Sequence, residues 1–219
     1  MTLTPNFWPM LQTASLETLY MVSVSAALTT LLGLPLGVAL VVTRPGHIVG
    51  RLWRVNSSLG AAINALRSVP FIIFMVAILD WVRLLVGTGI GPTAVIIPLT
   101  LAATAFMARV AESALLEVPH GVIEAAQSAG ATTWQIIWHV LLPEARPGLI
   151  QAVTITVINL IGCSAMAGAI GGGGLGDLGI RYGYQRHLLD VLWATVLILM
   201  VWVQVIQSLG DRVADHFRS

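Results

Sequence analysis

Side chains able to do covalent chemistry are scarce in this chain. All eleven basic residues are arginines, and lysine is absent. The phosphate loop of ATP-hydrolysing proteins needs a lysine to reach the nucleotide phosphates, so this chain cannot carry one. Cys163 is the single cysteine. It cannot make an internal disulfide, and within its apolar stretch it reads as a small buried apolar residue. His120, His139 and His187 have no metal-ligand spacing, and no nucleophile–base pair is recognisable. We expect no catalytic residue, no metal and no cofactor on this chain. What remains is recognition and passage. One moderately polar segment runs from Glu124 to Pro143 between apolar stretches, and a few polar groups lie inside the apolar stretches themselves.

The polar segment should fold as two short helices. Pro119 can sit in the first turn of one, where its missing N–H is not needed. Gly130 can end that helix in a left-handed conformation, which costs a residue with a Cβ about 1 kcal/mol or more. Thr132 can cap the next helix, with Gln135 as the reciprocal partner three residues on. Trp134, Ile137, Trp138 and Leu141 then share one face at helical spacing, and Pro143 should turn the chain out. On these features alone the segment is an amphipathic connector lying at a membrane surface, anchored by its tryptophans.

The rest of the chain reads as membrane. Hydrophobic residues make up 57% and charged residues only 10%, where a soluble domain carries about 25% charged. The mean hydropathy is +0.87. Crossing a bilayer takes about 20 mostly apolar residues. Five candidate spans cover roughly 17–42, 61–86, 91–110, 149–170 and 188–209. The second is the weakest, since it holds Asn64, Arg67, Asp80 and Arg83; the arginines can snorkel from its ends, and Asp80, near its outer end, is expected to be solvated or to pair with Arg83. Pro35, Pro70 and Pro98 are expected kinks. Residues 1–15 hold no basic residue, unlike the start of a cleaved signal peptide, so the first apolar segment is expected to stay as a span. The formal net charge of +1 gives no reason to expect nucleic acid.

Arginine placement sets the orientation. With the N-terminus outside, the inner segments hold Arg44, Arg51, Arg54, Arg109, Arg146, Arg212 and Arg218, with Arg67 near the inner face, and the outer ones hold Arg83, Arg181 and Arg186. Positive charge favours the cytoplasm, so the Glu124–Pro143 loop is expected inside, together with the C-terminus.

Polar groups inside spans are costly, by roughly 2.5–3.5 kcal/mol for a mid-bilayer charge. Asn159 is therefore a candidate pathway residue, with an interhelical hydrogen bond as the plainer alternative. Ser164 and Met166 are weaker candidates, since both also suit packing. The stretch Ser164–Gly183 holds many glycines, which supply close approach and backbone freedom. It reads as a compact turn between the last two spans, with gating or contact to an external protein as alternatives.

The order Glu124-Ala125-Ala126, three residues, Gly130, nine residues, Val140, one residue, Leu142-Pro143 resembles the EAA loop of type I ABC-importer permeases. Val140 stands where that family usually has isoleucine. The resemblance implies a single domain over 1–219, with the permease domain over 15–208. It also implies that the loop between the third and fourth helices docks on a separate ATPase subunit. Glu124, Ala125, Ala126, Gly130, Val140, Leu142 and Pro143 would be the coupling residues. Glu124 would supply charge and hydrogen bonding, the alanines close approach, and Gly130 the bend. Two ATPase copies, a second copy of this chain, and a periplasmic or lipid-anchored substrate-binding protein are the implied partners, in the bacterial inner membrane. Ser164–Gly183, with Arg67–Ile73 and Thr43–Gly46, further resembles the methionine-importing branch, which implies L-methionine as cargo, with D-methionine as a second candidate. Permeases for another amino acid or an osmoprotectant are the nearest alternative. A secondary transporter would need embedded ionisable groups and often an internal repeat; an intramembrane enzyme would need paired catalytic groups. Neither pattern is evident.

Overall fold

The computed structural model describes residues 7–218. Among them all regular structure is helical. Four helices are long and apolar enough to cross a membrane: α1 (Phe7–Val42), α5 (Pro92–Leu116), α9 (Arg146–Gly168) and α11 (Leu189–His216). A fifth crossing is available if the broken pair Gly50–Ser68 and Phe71–Ala77 counts as one span.

These helices outrun the apolar windows that announce them. α1 starts ten residues before the expected start at Glu17, and α11 continues through Gly210, Asp211, Arg212 and Asp215. Hydropathy falls where charge begins, but the i→i−4 hydrogen-bond ladder continues into polar sequence without interruption. Pro35 and Pro98 stay inside continuous helices.

The second expected span differs most. It is not one helix but α2 (Trp53–Ser68), α3 (Phe71–Ala77) and α4 (Leu79–Val86), following a single 3₁₀ turn at Gly50–Leu52. The break falls on Val69–Pro70. Proline offers no N–H to the preceding turn and pushes its predecessor out of helical geometry; Pro70 itself is extended, at φ −56° and ψ 134°. Arg83 pairs with Asp80 at 3.5 Å on the exposed side of α4.

Backbone packing groups the chain into two compact units. The first holds the residues up to Leu28, Val69–Ala103 and Val157–Gln207. Its core joins Met21, Met75, Leu99 and Leu160, all buried. Here the glycine-rich stretch closes into a tight turn and then a short helix, α10 (Gly174–Asp177), which runs on as a π-helical turn over Leu178–Tyr184. The turn is held from α1. Glu17 accepts the N–H of Gly174 at 2.7 Å, and the Thr18 hydroxyl accepts that of Leu175 at 2.8 Å. A Cβ on Gly176 would stand 2.3 Å from the Ala165 carbonyl oxygen, so α10 lies backbone against backbone on α9.

The second unit holds Thr29–Ser68, Thr104–Thr156 and the residues from Ser208 on. α1 and α5 meet closely here. Cβ atoms on Gly33 and Gly37 would fall 2.7 Å and 2.8 Å from those of Met107 and Ala111. Small residues at such crossings let backbones approach and gain dispersion contacts, the usual source of helix association in lipid. The core of this unit gathers Val41, Met107, Leu115, Ile123, Ile136 and Leu141. Three of its members, Ile123 just before the polar segment and Ile136 and Leu141 within it, anchor the loop to the helices.

Candidate functional site

The loop begins where α5 ends. Pro119 is extended at φ −58° and ψ 129° and stands just before α6 (His120–Ser128), one place earlier than the first turn. The helix ends as a Schellman motif. The Ala131 N–H donates to the Ala126 carbonyl at 3.1 Å and the Gly130 N–H to that of Gln127 at 2.9 Å. Gly130 is left-handed at φ +79°. Two orphan carbonyls are thereby satisfied, and the chain reverses within three residues.

Thr132 then starts α7 (Thr133–Ile136) with a full capping box. Its N–H donates to Gln135 Oε1 at 2.8 Å, and the Gln135 N–H returns to the Thr132 hydroxyl at 3.4 Å. Both features follow the sequence pattern.

The apolar face that follows does not. Ile137–Leu141 is a π-helical turn, in which Leu142 N–H reaches the Ile137 carbonyl. The buried residues here are Ile136 and Leu141. Trp134 and Trp138 instead stand exposed and pack on each other, ring centroids 5.4 Å apart. Pro143 does not turn the chain out either. It lies in the short helix α8 (Leu142–Glu144), which runs directly into α9. The wide turn before it removes the need for the N–H that proline lacks.

The residues expected to couple divide into two sets. Glu124, Ala125 and Gly130 are exposed. Ala126, Val140 and Leu142 are half-buried against the core of the second unit, and Pro143 is half-buried beside them. α6 touches that core through Ile123 and Ala126 and leaves the rest of its surface open. Glu124 Oε1 lies 3.0 Å from His120 Nδ1, one turn back.

The pathway candidates also separate. Asn159 and Met166 are exposed on α9 with Gly162 between them, one stripe at helical spacing. Ser164 faces inward and donates to the Ile161 carbonyl at 2.8 Å, so it does not join them. Asn159 Oδ1 meets Cys163 Sγ at 3.7 Å.

Sequence reasoning missed two clusters. In the second unit, Arg109 pairs with Glu112 at 2.7 Å and donates to the Gly60 carbonyl at 2.8 Å. The i,i+3 spacing of opposite charges was the available signal. Beside α6, the His120 ring meets His47 edge to face, centroids 5.5 Å apart. Nothing in the sequence pairs those two histidines. His47 Nδ1 is shielded, with no hydrogen-bond partner among the described residues. Burial, then His120, then Arg44 hold the His47 pKa below its ordinary value of 6.5. Among the described residues no three acidic, histidine or cysteine side chains are placed to hold a metal.

The fold and the site define an integral membrane chain of several apolar helices that presents one compact, partly bare polar loop. It belongs to the family of binding-protein-dependent transport system inner membrane components, whose profile matches residues 31–219. The probable D-methionine transport system permease MetI of Vibrio cholerae is 53% identical over 94% of this chain and 93% of its own length. The corresponding protein of Pasteurella multocida is 46% identical over 98% and 99%. A chain of the inward-facing MetNI methionine ABC transporter superposes with a TM-score of 0.95 at 45% identity, covering 98% of this chain and 99% of that one.

Proposed function

We propose that this chain is the membrane-spanning permease subunit of a binding-protein-dependent ABC importer that carries methionine, L- and also D-, into the cell. The observation that carries this reading is chain-wide likeness to a transporter named for methionine, at a TM-score of 0.95. Relatives named for D-methionine transport stand beside it and leave an osmoprotectant or a different amino acid without comparable support.

In this reading the chain crosses the bacterial inner membrane five times, with the N-terminus outside and the C-terminus in the cytoplasm. The broken run α2–α4 serves as the second crossing. Two copies enclose one pathway, because the helices of one copy make a thin wall. Asn159 and Met166 stand on the bare stripe of α9, where a small apolar solute with a polarizable thioether could pass. An external binding protein delivers the cargo. The chain needs no cofactor of its own.

The energy comes from two ATPase subunits, gripping the loop between the third and fourth crossings. Exposed Glu124 and Ala125 form the contact, Gly130 sets the reversal, and Ala126, Val140, Leu142 and Pro143 brace the loop from behind. Since Ile123 and Ile136 are rooted in the core of the second unit, a push on α6 is passed to the helices that form it.

The test is uptake of labelled methionine in a methionine auxotroph lacking every other methionine importer. Deleting the gene should abolish growth on low methionine. Normal high-affinity uptake in the deletion strain removes the methionine assignment.

A further inference from the structure

We propose that His120, braced by His47, is a positioning residue that holds the Glu124 carboxylate ready for the ATPase groove. The inference rests on the docking reading above and adds a residue that the loop motif does not contain.

Glu124 is about two-thirds exposed, at 64%. A carboxylate that free samples several rotamers, and a partner must freeze one of them on binding. His120 does this in advance. A carboxylate can only accept, so the Nδ1–H of His120 donates across the 3.0 Å to Glu124 Oε1. In open water such a contact is weak. Once a groove excludes water from α6, the same bond strengthens and the pre-set orientation is retained.

His120 is itself held. Its ring meets that of His47 at 80°, edge to face. His47 belongs to the tight turns between α1 and α2, where its N–H donates to the Arg44 carbonyl at 3.0 Å and its own carbonyl accepts from Gly50 at 3.2 Å. The contact therefore runs from the end of α1, through two imidazoles, to the carboxylate. It joins segments far apart in sequence, both within the second unit.

The experiment measures the Kd of the purified ATPase subunit for the full permease reconstituted in nanodiscs. His120→Leu keeps a side chain against His47 and removes the donor; we expect Kd to rise about tenfold. His120→Asn returns an N–H near the Nδ1 position and should restore Kd to within about twofold of wild type. The double variant His120→Leu with Glu124→Ala should bind no worse than Glu124→Ala alone, because alanine leaves His120 no acceptor to act through. Thermal unfolding and dimer size should match wild type in all variants, which separates positioning from folding. The inference is overturned if His120→Leu binds like wild type, if asparagine fails to restore, or if the double variant shows additive losses. If Glu124→Ala itself docks normally, the docking reading fails as well, which is a different result.

Discussion

Arg109 Nη2 donates to the backbone carbonyl of Gly60 at 2.8 Å, tying α5 to α2 across 49 residues of sequence. The fit is close, since a Cβ at position 60 would stand 3.1 Å from that nitrogen and the guanidinium would have to give by a few tenths of an ångström. Nη1 of the same guanidinium takes Glu112, whose side chain is only 13% exposed. Arg109→Met removes both bonds and leaves a shielded carboxylate unpaired. Lost hydrogen bonds to charged groups cost about 1.5–3 kcal/mol, so its thermal midpoint should fall by several degrees. Adding Glu112→Gln should recover part of the loss. An unchanged midpoint for Arg109→Met would mean that water already serves both groups.

The left-handed turn after α6 gives a cleaner series. No heavy atom lies within 4 Å of a Cβ built on Gly130. Any loss on substitution is therefore conformational rather than steric. Asparagine visits this region readily, alanine less so, and a β-branched residue is an outlier there. ATP-driven uptake should fall in the order Gly130→Asn, Gly130→Ala, Gly130→Val, with the last close to inactive while still inserted and dimeric. Equal activity of the valine and asparagine variants would show that the reversal does not matter to coupling.

The turn and the capping box were legible because each depends on a few neighbours. Gly130 needs only its own missing Cβ, and Thr132 needs only Gln135. The face expected of Trp134, Ile137, Trp138 and Leu141 is divided, with Leu141 buried and the two tryptophans exposed against each other. No propensity at Ile137–Leu141 announces the π turn that runs through it. Pro70 was expected to kink a helix and instead ends one, since the residues after it restart as α3 and α4. Asn159 and Met166 share a face because their spacing is helical, whereas Ser164 was grouped with them by chemistry alone. The His47–His120 contact links segments that local pattern cannot connect.

Orientation is tested by reporter fusions after Gly46, Gln127 and Ser219. All three should report cytoplasm, because most of the arginines flank those segments. A periplasmic signal at Gln127 would remove the inward topology and the docking reading together.

Acid should loosen the α1–α2 turns. The His47 pKa is lowered below 6.5 by burial, with the positive charges of His120 and Arg44 adding to the effect, and Glu124 lies beyond His120. A folded pKa below the unfolded one means that the folded state resists taking the proton. No penalty exists above 6.5; it grows as pH falls below that value and is complete below the folded pKa. Hydrogen exchange at Ile48–Gly50, taken relative to the intrinsic rate at each pH, should therefore accelerate as pH falls below 6.5, and His47→Gln should flatten that change. Equal acceleration in the variant would assign the effect to another group.

The bare stripe on α9 yields the sharpest test of where the pathway runs. Gly162 lies between Asn159 and Met166, and a Cβ there would meet nothing within 4 Å. Within one copy, then, Gly162→Ala should be neutral or slightly stabilising, since alanine is the better helix former by about 1 kcal/mol. Gly162→Leu should also fold, because its side chain enters open space. If cargo or the second copy passes this face, the leucine variant should block methionine uptake at least tenfold while ATPase association and thermal midpoint stay at wild-type values. Asn159→Leu should change uptake without changing stability, for the same reason. If both variants transport normally, the stripe faces lipid, and the pathway must be sought on another helix.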